Sequence, residues 1–376
     1  MNNKKALGGL TARQAGAVCF VGLLPPATRL LPGLCARLAG RAAWLCPIAA
    51  LPVLLIVAWL MKKLTANAVE GENLAGLIRR GLGRWAGGAV LIVYGLWLVA
   101  YAGFSLRSSA SRFIYTIYPG APPWPFVIAG LVMGLFAVLA PVKALARASE
   151  LFRSLLLLAL IPILGFGLAQ LDWDELLPVS RLDIPGVLEG GVYVLGTVSF
   201  VLVNVPFLET GTPIEHRGRS FAAWSARECL FLAVIVAAVI GRFGPELTGT
   251  FTYPFFALVR NTGLFGDAIR IEALVTGLWV LSDFVLAGFA LMSAVAALRL
   301  SLGLREKPSA AKCLSARTLT TLACAALALA CALVIAPNAR AMRIVSDQVV
   351  VCANLAMLGL MLLTLTAQIT VKRRRG

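Results

Sequence analysis

Followed along its apolar and polar positions, the chain is a series of long apolar runs joined by short polar connections. The runs fall at approximately 14–34, 42–61, 85–106, 121–142, 154–171, 190–208, 221–241, 273–298, 318–339 and 348–371. A bilayer-spanning helix needs about 20 predominantly apolar residues. The pattern therefore predicts an all-α membrane protein with ten transmembrane helices. The third, fourth, ninth and tenth runs hold no charge at all. Arg29 and the prolines Pro25, Pro26 and Pro32 interrupt the first, and Arg227 and Glu228 sit in the first half of the seventh.

Composition agrees with that reading. Of 376 residues, 60% are hydrophobic and 14% charged, against about 25% charged in soluble proteins. Mean hydropathy is +0.87. The net charge of +17 is explained by its distribution. With ten spans and the N-terminus inside, the cytoplasmic segments hold 23 of the 34 Lys and Arg residues. This is the positive-inside bias; it sets both termini in the cytoplasm and argues against nucleic acid. The basic tail "KRRRG" then faces anionic lipid headgroups. The N-terminal stretch has no cleavage pattern, so the first span is expected to be retained. The eight cysteines show no CxxC spacing and lie mostly inside spans, so neither a disulfide framework nor a metal or cofactor site is expected.

Ten spans divide into five and five about the acidic connection 172–185. The chain is expected to form one integral membrane domain over 1–376, with repeats at about 14–171 and 190–371. Five is odd, so the second half lies inverted relative to the first, the arithmetic of inverted-repeat transporters. In such folds the first helix of each repeat is discontinuous, and the breaks meet near the midplane. Gly22 and the Pro25–Pro26 pair mark such a break in helix 1; Gly190, Gly191, Gly196 and Pro206 mark one in helix 6. Breaks expose helix-end donors and acceptors without charged side chains, which suits a zwitterionic amino acid.

The segment "GPELTGTFTYPFFALVRNTGLFGDAIRIEALVTGLWVLSDF", Gly244 to Phe284, is more distinctive. Its order of Gly-Pro-Glu, Tyr253-Pro254, Leu258-Val259-Arg260, Arg270-Ile-Glu272 and Trp279 resembles the spore germination permease family. Those proteins are the multi-spanning B subunits of GerA-type germinant receptors, within the amino acid–polyamine–organocation transporter superfamily. The first two spans, "LARASELFRSLLLL", "LDWDELLPV" and "VPFLETGTPIEHRGR" resemble it too, so the likeness covers about 11–300. The resemblance implies a leucine-transporter-like 5+5 inverted repeat with discontinuous helices 1 and 6. It also implies an amino acid or similar small germinant, and the inner membrane of a bacterial spore. Two partner subunits are implied, a larger membrane subunit and a lipoprotein.

Gly22, Leu24 and Pro25 with Leu195, Gly196 and Ser199 are the first candidates for a substrate pocket, because they sit at the expected breaks. Tyr94, Leu98 and Tyr101 share one helical face, as do Thr276, Val280 and Asp283. The tyrosines either cover a ligand or pack between helices. Asp283, acidic within an apolar run, either binds a proton, amine or cation or makes a packing hydrogen bond. His216, the only histidine, is expected in a solvated turn, and 67–85 as an interfacial amphipathic helix or a docking surface. No catalytic motif is present, which disfavours an enzyme. Two functions stay open: a germinant-receptor subunit, or an amino-acid transporter coupled to protons or Na⁺.

Overall fold

The computed structural model describes residues 10–65, 72–208, 217–261, 271–303, 316–335 and 338–375. His216 and the stretch 262–270 lie outside them. Among the described residues the secondary structure is helical throughout. The helices are α1 (Ala12–Ala39), α2 (Cys46–Thr65), α3 (Leu74–Thr116), α4 (Trp124–Leu139), α5 (Val142–Ala169), α6 (Ile184–Asn204), α7 (Arg217–Thr250) and α8 (Pro254–Asn261). Then come α9 (Ile271–Ser301), α10 (Ala316–Val334), α11 (Ala339–Ile344) and α12 (Val351–Arg375). A π-helical turn, Val345–Val350, joins the last two.

Among the described residues, eight helical stretches are long and apolar enough to cross a membrane. One of them, Ala12–Lys63, is 52 residues long and contains both α1 and α2; α4, at 16 residues, is shorter. The expected ten crossings require taking α1 and α2 apart and including α4. Large apolar side chains such as Ile56, Phe136, Leu158 and Ile161 point outward. On a soluble surface they would be an aggregation hazard; here they form the face that meets lipid.

The first helix differs from its expected form. Thr11 and Gln14 close a capping box at its start, and the helix then runs unbroken to Ala39. Pro25, Pro26 and Pro32 all lie inside it. Each removes one donor, so the carbonyls of Val21 and Gly22 lose their usual partners at the proline pair. The helix survives because α5, α6, α7 and α9 all pack against it, and packing outweighs local propensity. Helix six is likewise continuous through Gly196 to Asn204; it tightens into a 3₁₀ turn only at Val205–Phe207, beside Pro206. The expected discontinuities are thus confined to freed carbonyls in α1 and an end effect in α6.

Real breaks occur elsewhere. Gly83 (φ 82°) separates a short leg, Leu74 to Leu82, from the crossing part of α3. Gly244 (φ 74°), followed by Pro245, separates the last turn of α7. Both sit in the left-handed region that glycine adopts without a steric penalty. The α3 leg falls in the expected interfacial helix, yet it buries Leu74, Ala75, Leu77 and Ile78 against protein. A Cβ placed on Gly87 would lie 2.8 Å from Arg79 Cα, so the leg folds back closely on the span.

The centre of the bundle pairs α1 with α6, α2 with α7 and α3 with α9. Under the expected ten crossings, each of these pairs would join one crossing of the first half to the crossing five places later.

Candidate ligand-binding site

One end of the bundle holds a cavity of about 610 Å³. Its walls are the second half of α1, the last turns of α3, Pro123, the stretch Phe251–Tyr253, and α11 with the π turn. In the expected topology this end faces outside. α3 continues ten residues past the expected limit of its apolar run, to Thr116. That extension carries Arg107, Ser111, Ile114 and Tyr115 onto the cavity wall at helical spacing.

Charge dominates the lining: Arg29, Arg37, Arg107, Arg340 and Arg343 face one carboxylate, Asp347. Arg37 Nη2 donates to Asp347 Oδ2 at 2.7 Å, and its Nη1 donates to the Gly249 carbonyl at 3.2 Å. Arg29 lies deeper. Its Nη2 donates to Ser346 Oγ at 2.7 Å, and its guanidinium sits 5.2 Å from the centre of the Phe104 ring. Tyr115 and Tyr253 meet in the wall as a tilted ring pair with centroids 5.1 Å apart. Burial holds the Tyr253 phenol above its ordinary value, opposed by the charges of Arg29 and Arg112, so it stands as a neutral hydroxyl.

Through the Phe104 ring, Arg29 touches a layer of aromatic packing. Phe104 meets Tyr101, and Tyr101 stacks on Phe200 of α6 with centroids 3.8 Å apart. Phe200 meets Phe289 of α9 edge-on. Trp279 packs between Phe255 and Phe256 and donates its indole N–H to Thr28 Oγ1 at 3.1 Å. Thr28 in turn donates to the Leu24 carbonyl at 2.8 Å. This layer ties α1, α3, α6, α8 and α9 together.

A second cavity, about 130 Å³, lies between α3, α4 and α9. Asp283 and Val280 line it. Asp283 accepts from Ser109 Oγ at 2.6 Å and forms an ion pair with Arg112 Nη2. The partner that an intramembrane acid needs is therefore an arginine of α3.

None of the twelve residues singled out in the sequence lines the larger cavity. Gly22, Leu24 and Pro25 are buried in α1, inward of Arg29. Around Gly22 there is room: a Cβ there would meet no atom within 4 Å. Gly196 faces α12, where a Cβ would lie 2.8 Å from Val351 Cγ1. Leu195 is half-buried; Ser199 is buried, its hydroxyl without a hydrogen-bond partner among the described residues. Tyr94 donates to the Met357 carbonyl of α12, and Leu98 is fully buried. Thr276 is buried and reaches Thr116 Oγ1 at 3.4 Å. The structure brings Tyr101 to α6 beside Ser199, and Val280 to Asp283; it leaves Tyr94 and Gly196 directed at α12.

The cavity arginines carry a signal that hydropathy hides. Under the expected topology all eight lysines fall on the cytoplasmic side, whereas the eleven external basic residues are all arginine. A topology signal alone would not discriminate between the two. Arginine offers a planar fork of donors that lysine lacks.

A family model described as "Spore germination protein" matches residues 15–339. The chain belongs to this spore permease family. Among curated relatives, spore germination protein YndE of Bacillus subtilis (strain 168) is 22% identical over 259 residues, which covers 68% of this chain and 70% of YndE. YfkT of the same strain is 24% identical over 245 residues, covering 64% of this chain and 66% of YfkT. A solved structure of a Na⁺-coupled sialic acid symporter, in a substrate-bound outward-open state, superposes with a TM-score of 0.63. The match covers 96% of this chain and 82% of the symporter at 10% identity. At that identity the likeness establishes the fold, which is leucine-transporter-like and all-α. This spore permease is thus a multi-pass membrane protein of transporter-like build, in a family of permeases rather than of enzymes.

Proposed function

We propose that this spore permease is the membrane subunit of a germinant receptor, binding a small germinant and passing its bound state to partner subunits. The observation that carries the reading is the cavity of about 610 Å³ between α1, α3, α11 and the stretch before α8, whose Arg29 rests against Phe104 of the aromatic layer. Its volume suits a metabolite-sized solute. The layer joins α1 and α6 to α3 and α9 through Tyr101, Phe200 and Phe289. A solute that reaches this layer touches helices from both expected repeats, and its difference in affinity between two arrangements of them sets the response. Tyr101, Ser199, Leu24 and Gly22 then lie on the ligand's path rather than at its first contact. The repeats at about 14–171 and 190–371, cytoplasmic termini and a spore inner-membrane location belong to the same reading.

The test separates sensing from uptake. Purified protein should bind a germinant-type solute by calorimetry, while proteoliposomes show no concentrative uptake under an imposed Na⁺ or proton gradient. Robust concentrative uptake would replace the receptor reading with a coupled transporter.

A further inference from the structure

We propose that the cavity selects a small solute of net negative charge carried on carboxylates, a dicarboxylate or an acidic amino acid. The inference deepens the receptor reading and rests on it. Among the described residues, five arginines and one carboxylate line the space. That carboxylate, Asp347, is taken by Arg37. Arg29 is the anchor of the argument. It projects from an apolar helix, where a charge is costly, yet no carboxylate lies within ion-pair distance of it among the described residues. Its partner is the neutral Ser346, and the Phe104 ring supports its guanidinium. A guanidinium has five N–H donors, so one bond to Ser346 leaves edges that a carboxylate can take in bidentate fashion. Arg340 and Arg343 stand exposed on α11 at the opening. Low-dielectric walls focus such a field on the space between them and draw in anions. A neutral zwitterion gains little there, because its ammonium meets the same arginines that attract its carboxylate. A second carboxylate removes that conflict.

The experiment is titration calorimetry on purified protein in nanodiscs of phosphatidylcholine. The probes are L-glutamate, L-glutamine, L-alanine, succinate and inorganic phosphate. Glutamate and glutamine share shape and differ in side-chain charge, so their ratio in the unaltered protein reads the claim without any variant. Glutamate is expected to bind at least tenfold more tightly than glutamine, to weaken as NaCl rises, and to be displaced by succinate. Arg29→Gln should erase the preference and Arg29→Lys should retain part of it. Arg343→Gln, at the exposed opening, should weaken glutamate several-fold. Equal affinity for glutamate and glutamine, or a preference untouched by Arg29→Gln, overturns the proposal. Tighter binding of phosphate than of either carboxylate probe overturns the carboxylate assignment. Loss of glutamate binding in phosphatidylglycerol nanodiscs would assign the arginines to lipid headgroups and overturn it too. Binding of alanine or glutamine without an advantage for glutamate sinks the anion claim and leaves the small-solute reading standing; silence across the whole panel sinks both.

Discussion

Asp283→Ala tests how the two central helices α3 and α9 are held. The side chains of Arg112 and Asp283 are 2% and 14% exposed, so the pair is largely removed from solvent. Ser109 Oγ donates to the same carboxylate oxygen at 2.6 Å, and Arg112 lies 5.8 Å from the centre of the Phe256 ring. Arg112 Nε has no hydrogen-bond partner among the described residues, so once Asp283 is gone the guanidinium keeps only its long 3.4 Å donation to Ser109 Oγ and the Phe256 ring. Removing one member of a buried pair strands the other, at a cost of about 3–5 kcal/mol. Replacing both by apolar groups is often close to neutral. Asp283→Ala and Arg112→Met should therefore each destabilise by about 3–5 kcal/mol, and the double variant should cost less than either. The assay is reversible unfolding of the purified protein in mixed micelles followed by tryptophan fluorescence, analysed as a double-mutant cycle. Single variants that lose under about 1 kcal/mol, the range of exposed pairs, or a double variant equal to the sum of the singles, would refute the reasoning.

Other substitutions test the packing and the cavity mouth. Gly103→Ala should lose about 1–3 kcal/mol by overpacking, because a Cβ there would lie 2.5 Å from the Ala328 carbonyl oxygen and 2.8 Å from Cys331 Cβ. Gly22→Ala meets open space and should gain up to about 1 kcal/mol of helix propensity in the same unfolding assay; a loss would show that the space is needed. Trp279→Phe keeps the ring but deletes the donor to Thr28, and a loss of about 1 kcal/mol is expected, read from the unfolding midpoint. Asp347→Asn frees Arg37 from a pair whose side chains are 34% and 17% exposed. Its stability should change by under about 1 kcal/mol. Maleimide labelling of a Ser111→Cys probe, with the exposed Cys352 replaced, should run faster once α1 and the π turn are unclasped; an unchanged rate would deny the clasp.

Much of the architecture was legible because lipid imposes one strong rule: long apolar runs become helices. The ends of those runs were less legible. Hydropathy stops at residue 106 in the third span, where polar and charged residues begin, but the helix continues to Thr116. Arg107, Ser111 and Arg112 fall beyond the apolar run, and with them a cavity wall and the partner of Asp283. The proline pair misled in the opposite direction. Proline signals a lost donor, and sequence alone does not say whether neighbours will hold the helix together regardless; α5, α6, α7 and α9 do. Arg29 registered only as an interruption of the first span. Its meaning depends on Ser346 and Phe104, which lie 317 and 75 residues away along the chain and side by side with it in space.

The π turn at Val345–Val350 has a consequence for how such a molecule changes its preferences. A π turn accommodates one residue more than an α-helical turn, and each residue of an α-helix rotates the chain by about 100°. Deleting a single residue there would let the segment relax to an ordinary helix and swing α11 by roughly that angle about its axis. Two guanidiniums would leave the doorway while every hydropathy profile stayed as it was. Descendants indistinguishable in span count can in this way come to answer different chemical cues through one codon lost.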